Sequence, residues 1–314
     1  MQRRLLAAVI LIFLFALALF ISVRVGVAQL PQAGFELPGL SQLDPSQPAE
    51  RPAPSPSTFC SLQPPKQRTA ASIRAEIARR AAAMGAEPIT LERFRQLATD
   101  LSLAKAVNST VYAPEEKVVL IHASNYGERF LKDVNGNPAS MDTIVVLHET
   151  VSTASSALNF FRSYHPKEAD QASYHTLIER DGTIVYLVPP DKRAYGAGNS
   201  VFRGAKGAEA FKTHPKFPPS VNNFAYHVSL ETPADGMNNR PVHSGYTVRQ
   251  YESLAWLVAK TGVPNDRITT HKAVDLSRSR SDPRSFNQYQ FLVRLNTYPR
   301  TSEISIRCTN PEGA

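Results

Sequence analysis

Two short runs that each end in a histidine constrain this chain more than any other feature of its sequence. Residues 143–147 are apolar or β-branched and lead directly into His148, and residues 266–270 lead in the same way into His271. β-Branched residues are typical of strands, so each histidine is expected where a strand ends. The two side chains are therefore expected at the edge of a buried sheet.

A carboxylate follows the second histidine at short range. Asp282 precedes Pro283, which keeps this segment from continuing as helix. Together with His148 and His271 it makes the open three-ligand set of a catalytic zinc ion, which leaves the fourth position for water. The chain has eight histidines, and a histidine after a strand is often only a hydrogen-bonding residue. Spacing alone therefore leaves a structural role open.

Four segments carry a more specific pattern. They are residues 144–148, 173–184, 227–231 and 271–283, and the second continues through Val188-Pro189 into 191–198. In this order they resemble the zinc-dependent N-acetylmuramoyl-L-alanine amidases of type 2, the family that also contains the peptidoglycan recognition proteins. The similarity covers about residues 140–297. It implies a zinc enzyme that hydrolyses the amide bond between N-acetylmuramoyl and L-alanine in peptidoglycan.

The resemblance assigns roles to single residues of the candidate catalytic site. The residues that match the zinc ligands are His148, His271 and Asp282. Glu231 matches the acidic residue that closes the central strand and faces the metal, and such a residue can act as general base. Arg280 stands where many relatives have a lysine and can stabilise an oxyanion. Tyr174 matches a tyrosine beside the metal-bound water. Without the resemblance, a surface carboxylate, a solvated arginine and a core tyrosine are equally ordinary interpretations.

Three further residues are expected to contact the substrate, namely Tyr195, His227 and His175. The family's usual Trp-His pair is Tyr195-Gly196 here, and His227 replaces a small residue. Both departures fall near the expected groove, so they bear on substrate preference more than on chemistry.

Two other classes of function compete with the enzyme. A peptidoglycan-binding module would keep the groove without catalysis, but relatives that only bind typically lose a zinc ligand, often the third. Asp282 retains an oxygen donor at that position, which favours the enzyme. A membrane-tethered scaffold would leave the three ligands unexplained.

The pattern of elements predicts an α/β fold with a mixed central β-sheet flanked by helices, as in the type 2 amidases and peptidoglycan recognition proteins. Asp181-Gly182 predicts a two-residue hairpin. Thr247 and Gln250 predict a capping box that begins a helix ended by Gly262, and Ser285 is expected to begin the last helix.

The chain divides into five predicted parts. Residues 1–28 are a signal peptide or membrane anchor, 29–66 a linker, 67–137 an N-terminal helical extension, 138–300 the amidase domain and 301–314 a tail. The linker holds nine of the 24 prolines, which favours an extended, semi-rigid spacer. In the extension, one helix is expected to end at Gly85 and a second to begin at Thr90 and carry Leu101.

The first part predicts export across the cytoplasmic membrane. Leu5 to Val23 lacks charge and follows two arginines, which suits a membrane-spanning helix. Gly26-Val27-Ala28 equally suits signal cleavage. Either alternative places the rest of the chain in the periplasm or facing the cell wall, with membrane contact if the segment stays uncleaved.

Cysteine and charge content agree with that compartment. Cys60 and Cys308 are the only cysteines and flank the folded portion, so a disulfide is expected, although two free thiols remain the alternative. The net charge of +8 favours an anionic polymer as partner. Peptidoglycan or muropeptides fit this expectation. Nucleic acid does not, because no basic cluster is interleaved with aromatic residues.

Overall fold

A six-stranded sheet organises the part of the chain that the computed structural model describes, residues 60–86, 89–96 and 112–306. The strands are β1 (Glu116–Val118), β2 (Tyr126–Glu128), β3 (Ile144–Glu149), β4 (Thr176–Ile178), β5 (Ile184–Tyr186), β6 (Lys192–Ala194), β7 (Phe202–Gly204), β8 (Gly207–Glu209), β9 (Ala225–Leu230) and β10 (Ile268–Thr270). The large sheet has the order β1-β5-β4-β9-β3-β10, and the pairs β2-β6 and β7-β8 form two small sheets.

The large sheet is mixed, as the sequence predicts. Strands β4, β9, β3 and β10 are parallel, and β5 runs antiparallel to β4. The antiparallel pair is the predicted hairpin, and Gly182 in its turn has φ +94°, a conformation that glycine adopts without steric cost. β3 and β9 are buried along their whole length, which explains their almost continuously apolar sequences.

Helices cover both faces of the sheet. They are α1 (Ala70–Gly85), α2 (Ala154–Arg162), α3 (Val248–Ala259), α4 (His271–Val274) and α5 (Gln288–Leu295). On one face, α3 and α5 pack on side chains such as Val145 and Leu147. On the other, α1 and α2 pack on Leu177 and Val185. Alternate residues of each strand thus serve opposite layers.

Helix ends follow local sequence signals in part. The capping box of Thr247 and Gln250 is present at the start of α3, and α1 ends at Gly85 as predicted. The last helix begins two residues later than expected, because Asn287 rather than Ser285 accepts the capping hydrogen bond, from the amide of Gln290. Ser285 itself has φ +53°, which is incompatible with the start of a right-handed helix.

The predicted helical extension is only partly helical. It contains α1, and Thr90 precedes a short 3-10 helix at Leu91–Arg93. The rest of the predicted second helix, up to Leu101, lies outside the described residues. It also supplies β1, which pairs in parallel with β5 at the edge of the large sheet. Residues 116–128 therefore belong to the same sheet system as the predicted amidase domain, and the boundary near 137 does not separate two folds.

Several predictions fall on residues 1–59 and 307–314, which lie outside the described part. Among the described residues, no helix has the length and apolarity needed to span a bilayer. The Leu5–Val23 segment and the proline-rich linker up to residue 59 stay predictions, because both lie outside the described residues. Cys60 is not a free thiol, but Cys308 lies outside the described residues, so the pairing also stays a prediction.

Candidate metal and active site

Parallel pairing brings the two strand-end histidines together. β3 and β10 are neighbours, with Thr270 opposite Leu147, so the next residues, His271 and His148, leave the sheet at the same edge. Their rings lie 4.7 Å apart between centroids. His271 directly follows β10, as the sequence predicts, and His148 is the penultimate residue of β3. That the two strands are neighbours is a finding of the structure.

A tightly turned loop returns the carboxylate to the histidines. The side chain of Asp275 accepts hydrogen bonds from the amides of Ser277, Ser279 and Arg280. The amide of Lys272 donates to the Asp282 carbonyl at 3.0 Å. As a result, Asp282 Oδ2 lies 3.3 Å from Nδ1 of His148 and 3.1 Å from Nδ1 of His271.

The three side chains fit a metal ion by chemistry and position. Their candidate ligand atoms all lie within 4.8 Å of one another, and all three residues are buried. Burial lowers the pKa of His148 to about 4, so its imidazole is neutral at physiological pH and retains a lone pair. Burial alone would raise the pKa of Asp282, but hydrogen bonds to both histidines hold it below its usual range. Metal ligands must be deprotonated in this way.

A cavity of about 570 Å³ opens over the ligand set. His271 and Asp282 line it, together with the sequence-predicted residues Tyr174, Tyr195 and Arg280. The cavity is large enough for a small ligand of drug-like size. Five of the nine predicted site residues thus face one shared space.

Tyr174 and Arg280 place a phenol and a guanidinium near the ligands. The Tyr174 ring lies 4.7 Å from the His148 ring, and Phe161 packs edge-on against its other side at 5.5 Å. Burial and the charge of Asp282 raise the pKa of Tyr174, so the hydroxyl stays protonated and can donate. Arg280 is exposed at the cavity wall, where its charge is available to a ligand.

Glu231 does not join this set. Its Oε1 accepts a hydrogen bond from the amide of Ala154 at the start of α2, and its Oε2 accepts one from the amide of Arg180. It does not line the cavity. The expectation that Glu231 faces the metal is wrong in this structure, because the residue lies just beyond β9 and two backbone amides bind its carboxylate there.

The predicted substrate contacts of His175 and His227 are also wrong. Both residues are completely buried, and neither lines the cavity. His227 lies behind His148, with its Nδ1 2.9 Å from His148 Nε2. His175 lies one layer further from the ligands, stacked parallel to His227 at 5.7 Å. Tyr195 is the one member of the predicted substrate-binding trio that reaches the cavity.

The sequence did not single out a buried ion pair that lies beside the ligands. Glu149, next to His148, also lines the cavity, and the guanidinium of Arg284 donates to both of its carboxylate oxygens, at 2.6 and 3.1 Å. Arg284 follows Asp282 by two residues, so this pair ties the end of β3 to the loop of the third ligand. The sequence could have indicated this pair, because Glu149 is next to His148 and Arg284 is two residues from Asp282.

A second group of missed residues forms the far wall of the cavity. Glu168 lies 3.3 Å from Nε2 of His214 and 3.5 Å from the guanidinium of Arg68. Arg193 is buried there, and its Nη1 donates to the Thr213 hydroxyl at 2.8 Å. Nothing in their local sequence distinguishes these residues, because contacts distant along the chain assemble them.

Comparison with known proteins agrees with the resemblance seen in the sequence. Residues 136–285 match the family model Amidase_2, described as N-acetylmuramoyl-L-alanine amidase. All three candidate ligands and the strands that carry two of them fall within this range. This region of the chain is thus similar to the N-acetylmuramoyl-L-alanine amidases, and the resemblance seen in the sequence is confirmed.

Individual relatives carry the same description. The 1,6-anhydro-N-acetylmuramyl-L-alanine amidase AmpD of Enterobacter cloacae is 30% identical over 141 residues, which cover 42% of this chain and 64% of the relative. AmpD of Salmonella typhimurium is 31% identical over 144 residues, or 43% and 66% of the two chains. The matches therefore span slightly less than two thirds of either relative. A crystal structure of a selenomethionine AmpD derivative is 23% identical with a TM-score of 0.40, covering 60% of this chain and 98% of the other.

Proposed function

We propose that this protein hydrolyses the amide bond between N-acetylmuramoyl and L-alanine in peptidoglycan or in muropeptides released from it. The observation that carries the proposal is the convergence of His148, His271 and Asp282, whose candidate ligand atoms lie within 4.8 Å of one another, beside a cavity that His271 and Asp282 line. All three residues lie within the region that matches the amidase family model. Residues separated by more than a hundred positions in sequence meet there with the donor set of a catalytic metal site.

The proposed cofactor is one zinc ion held by His148, His271 and Asp282. Two imidazoles and a carboxylate suit zinc better than Mg²⁺ or Ca²⁺, which prefer oxygen ligands. When bound, zinc supplies a Lewis acid and lowers the pKa of a bound water to about 7. Three protein ligands would leave one coordination position of the ion open.

The chain's own residues position the substrate and stabilise charge. The protonated hydroxyl of Tyr174 can donate to the oxygen that gains negative charge as the amide carbon becomes tetrahedral. Arg280 brings a positive charge to the same cavity. Because Glu231 is bound to backbone amides, the proposal assigns it no proton transfer.

The cavity has charge of both signs, which fits a peptide with free carboxylates and amines. Arg280 lies on the metal side, while Glu168 and Asp170 lie on the wall. Opposed charges fix the orientation of such a ligand more than they raise its affinity. The aromatic ring of Tyr195, in the same cavity, offers a flat apolar surface to a sugar or an alkyl chain.

The decisive experiment follows bond cleavage directly. The full chain with zinc is incubated with purified peptidoglycan and, separately, with soluble muropeptides that carry either normal or anhydro muramic acid. Mass spectrometry is expected to detect free stem peptides beginning with L-alanine, and His271→Ala is expected to release none. Comparison of the three substrates identifies the preferred one.

The main alternative is a non-catalytic peptidoglycan-binding module. It predicts co-sedimentation with peptidoglycan but no released peptide at any zinc concentration, an outcome that would overturn the proposed hydrolysis.

The proposed place of action is outside the cytoplasmic membrane, on the strength of the apolar segment Leu5–Val23. Cell fractionation tests this directly, and recovery only in the cytoplasm would overturn it.

A further inference from the structure

A second buried imidazole lies directly behind the first candidate ligand. His148 directs Nδ1 toward Asp282 and Nε2 toward Nδ1 of His227, at 3.3 and 2.9 Å. The two rings stand on neighbouring parallel strands, β3 and β9, and are completely buried. The contact therefore lies in the rigid centre of the sheet rather than on a mobile loop.

We propose that His227 is a positioning residue for the metal site: its Nδ1 accepts the hydrogen bond of His148 Nε2–H and leaves His148 Nδ1 free for the ion. This inference rests on the zinc site proposed above. A neutral imidazole carries one proton, so a His148 that binds metal through Nδ1 must carry its proton on Nε2. In a dry interior that N–H requires an acceptor, and His227 supplies it.

The surroundings of His227 hold its ring in this orientation. Its backbone amide donates to Nδ1 of His175 at 2.9 Å, and the two rings stack nearly parallel, at 7°. On another side lies Gly196, where a Cβ atom would stand only 2.5 Å from His227 Nδ1. The glycine at position 196 thus makes room for an imidazole at position 227.

The other nitrogen of His227 argues against a purely packing role. Nε2 is buried and has no hydrogen-bond partner among the described residues. A neutral His227 that accepts at Nδ1 carries its proton on Nε2, so this N–H is buried without an acceptor at a cost in free energy. An apolar side chain would fill a core position without that cost. The retained imidazole is explained by its one good polar contact, the one with His148. Because this acceptor is neutral, it orients the ligand without adding negative charge to the site.

The test compares zinc affinity in four forms of the full chain by competition with a chelator. His227→Phe removes the acceptor, while His227→Asn keeps an amide oxygen near the place of Nδ1. Tyr226→Phe is the matched control, because it removes a buried hydrogen bond to Thr176 (2.6 Å) from the next residue of the same strand. Loss of a partner that orients a ligand typically weakens metal binding ~10–100-fold.

We expect that loss in His227→Phe, partial recovery in His227→Asn and wild-type affinity in Tyr226→Phe. A wild type that binds no zinc would overturn the metal site and this inference with it. A wild type that binds zinc beside an equally tight His227→Phe would overturn the inference alone. Equal losses in the Phe and Asn variants would also overturn it, because ring packing rather than the acceptor would then hold the ligand.

A measurement on the wild type does not depend on the folding of any variant. In zinc-loaded protein with ¹⁵N-labelled histidine, long-range ¹H–¹⁵N correlations report which ring nitrogen carries the proton. We expect His148 to be protonated at Nε2 and His227 to lack a proton at Nδ1. Protonation of His227 at Nδ1 would contradict the proposed direction of the hydrogen bond.

Discussion

Asp282 shows how one residue decides the electrostatics of the site. Its carboxylate is buried, which alone would favour the protonated form, yet it contacts two imidazoles within 3.3 Å. A carboxylate in that position needs a cation or hydrogen-bond donors to remain charged in a low-dielectric interior. The candidate metal would supply the cation. The contacts of Asp282 with the two imidazoles are therefore those expected of the proposed metal-binding site rather than of a packed core.

Tyr174→Phe tests the proposed charge stabilisation at the reacting amide. The change removes one hydroxyl and keeps the ring that packs between His148 and Phe161. We expect kcat to fall ~10²-fold, the typical loss for one oxyanion donor, with little change in zinc content. Tyr164→Phe is the control, since Tyr164 is half exposed and does not line the cavity. The measurement is steady-state kinetics with a soluble muropeptide. An equal kcat in the two variants would contradict the proposed role of the Tyr174 hydroxyl.

Glu231→Ala separates a structural carboxylate from a catalytic one. The side chain accepts hydrogen bonds from the first residue of α2 and from Arg180. Loss of such a cap typically costs about 1 kcal/mol of stability. Thermal unfolding should show this loss, while zinc content and kcat stay close to the wild type. A fall in kcat of ~10²–10⁴, the usual contribution of a general base, would restore the catalytic role that the sequence suggested.

At the scale of elements, the site depends on a strand and a loop that an ion pair joins. Glu149 closes β3 and is bound by Arg284, which also donates to the carbonyls of Asn238 and Arg240. Both charged side chains are nearly inaccessible to solvent. The pair therefore fixes the distance between His148 on the strand and Asp282 in the loop.

Arg284→Met tests that connection. It leaves the Glu149 carboxylate buried without its main partner, which typically costs about 3–5 kcal/mol. The free energy of unfolding in urea should fall by that amount. Arg294→Met is the control, because its ion pair with Glu252 is partly exposed and such pairs contribute about 0–1 kcal/mol. Equal decreases in the free energy of unfolding of the two variants would show that the buried ion pair contributes no more to stability than the exposed one.

Elements that depend on interactions between residues close in sequence could be predicted, and those that depend on distant residues could not. The hairpin at Asp181-Gly182, the capping box of α3 and the strand-end histidines depend on neighbouring residues, and the structure confirms them. Part of the predicted helical extension is a strand instead, because residues 116–118 form β1 and pair with residues 184–186 of β5. No local pattern marks such a distant partner.

The same distinction applies to the site residues. The three candidate ligands could be selected from the sequence because their order along the chain matches that of the resembled family, and the structure brings them together. The orientation of Glu231 was not, because it depends on which backbone amides lie beyond the strand end. The substrate contact predicted for His227 was wrong for a similar reason, since His148 and Gly196, which are distant in sequence, enclose its ring.

At the scale of the whole molecule, the two ends of the described chain meet the central domain close together. The amide of Ser61 donates to the Arg129 carbonyl, and the Ser61 carbonyl accepts from Leu131. Ile306, near the other end, shares a small cavity with Phe130 and Leu131. Arg95 further binds Glu303 at 3.0 Å. Both terminal segments are thus attached to the body by contacts that do not involve the metal site.

This arrangement fits the predicted disulfide between Cys60 and Cys308. Ser61, next to Cys60, binds residues 129 and 131, and Ile306, two residues before Cys308, lines the same cavity as Phe130 and Leu131. Closing so long a loop stabilises a protein by ~5–6 kcal/mol in the chain-entropy model. We expect Cys308→Ser to lower the unfolding temperature and to leave the zinc affinity and turnover at moderate temperature unchanged. Thiol titration of denatured, unreduced protein from its native compartment should find no free thiol. Two free thiols per chain would refute the bridge and remove one argument for an oxidising location.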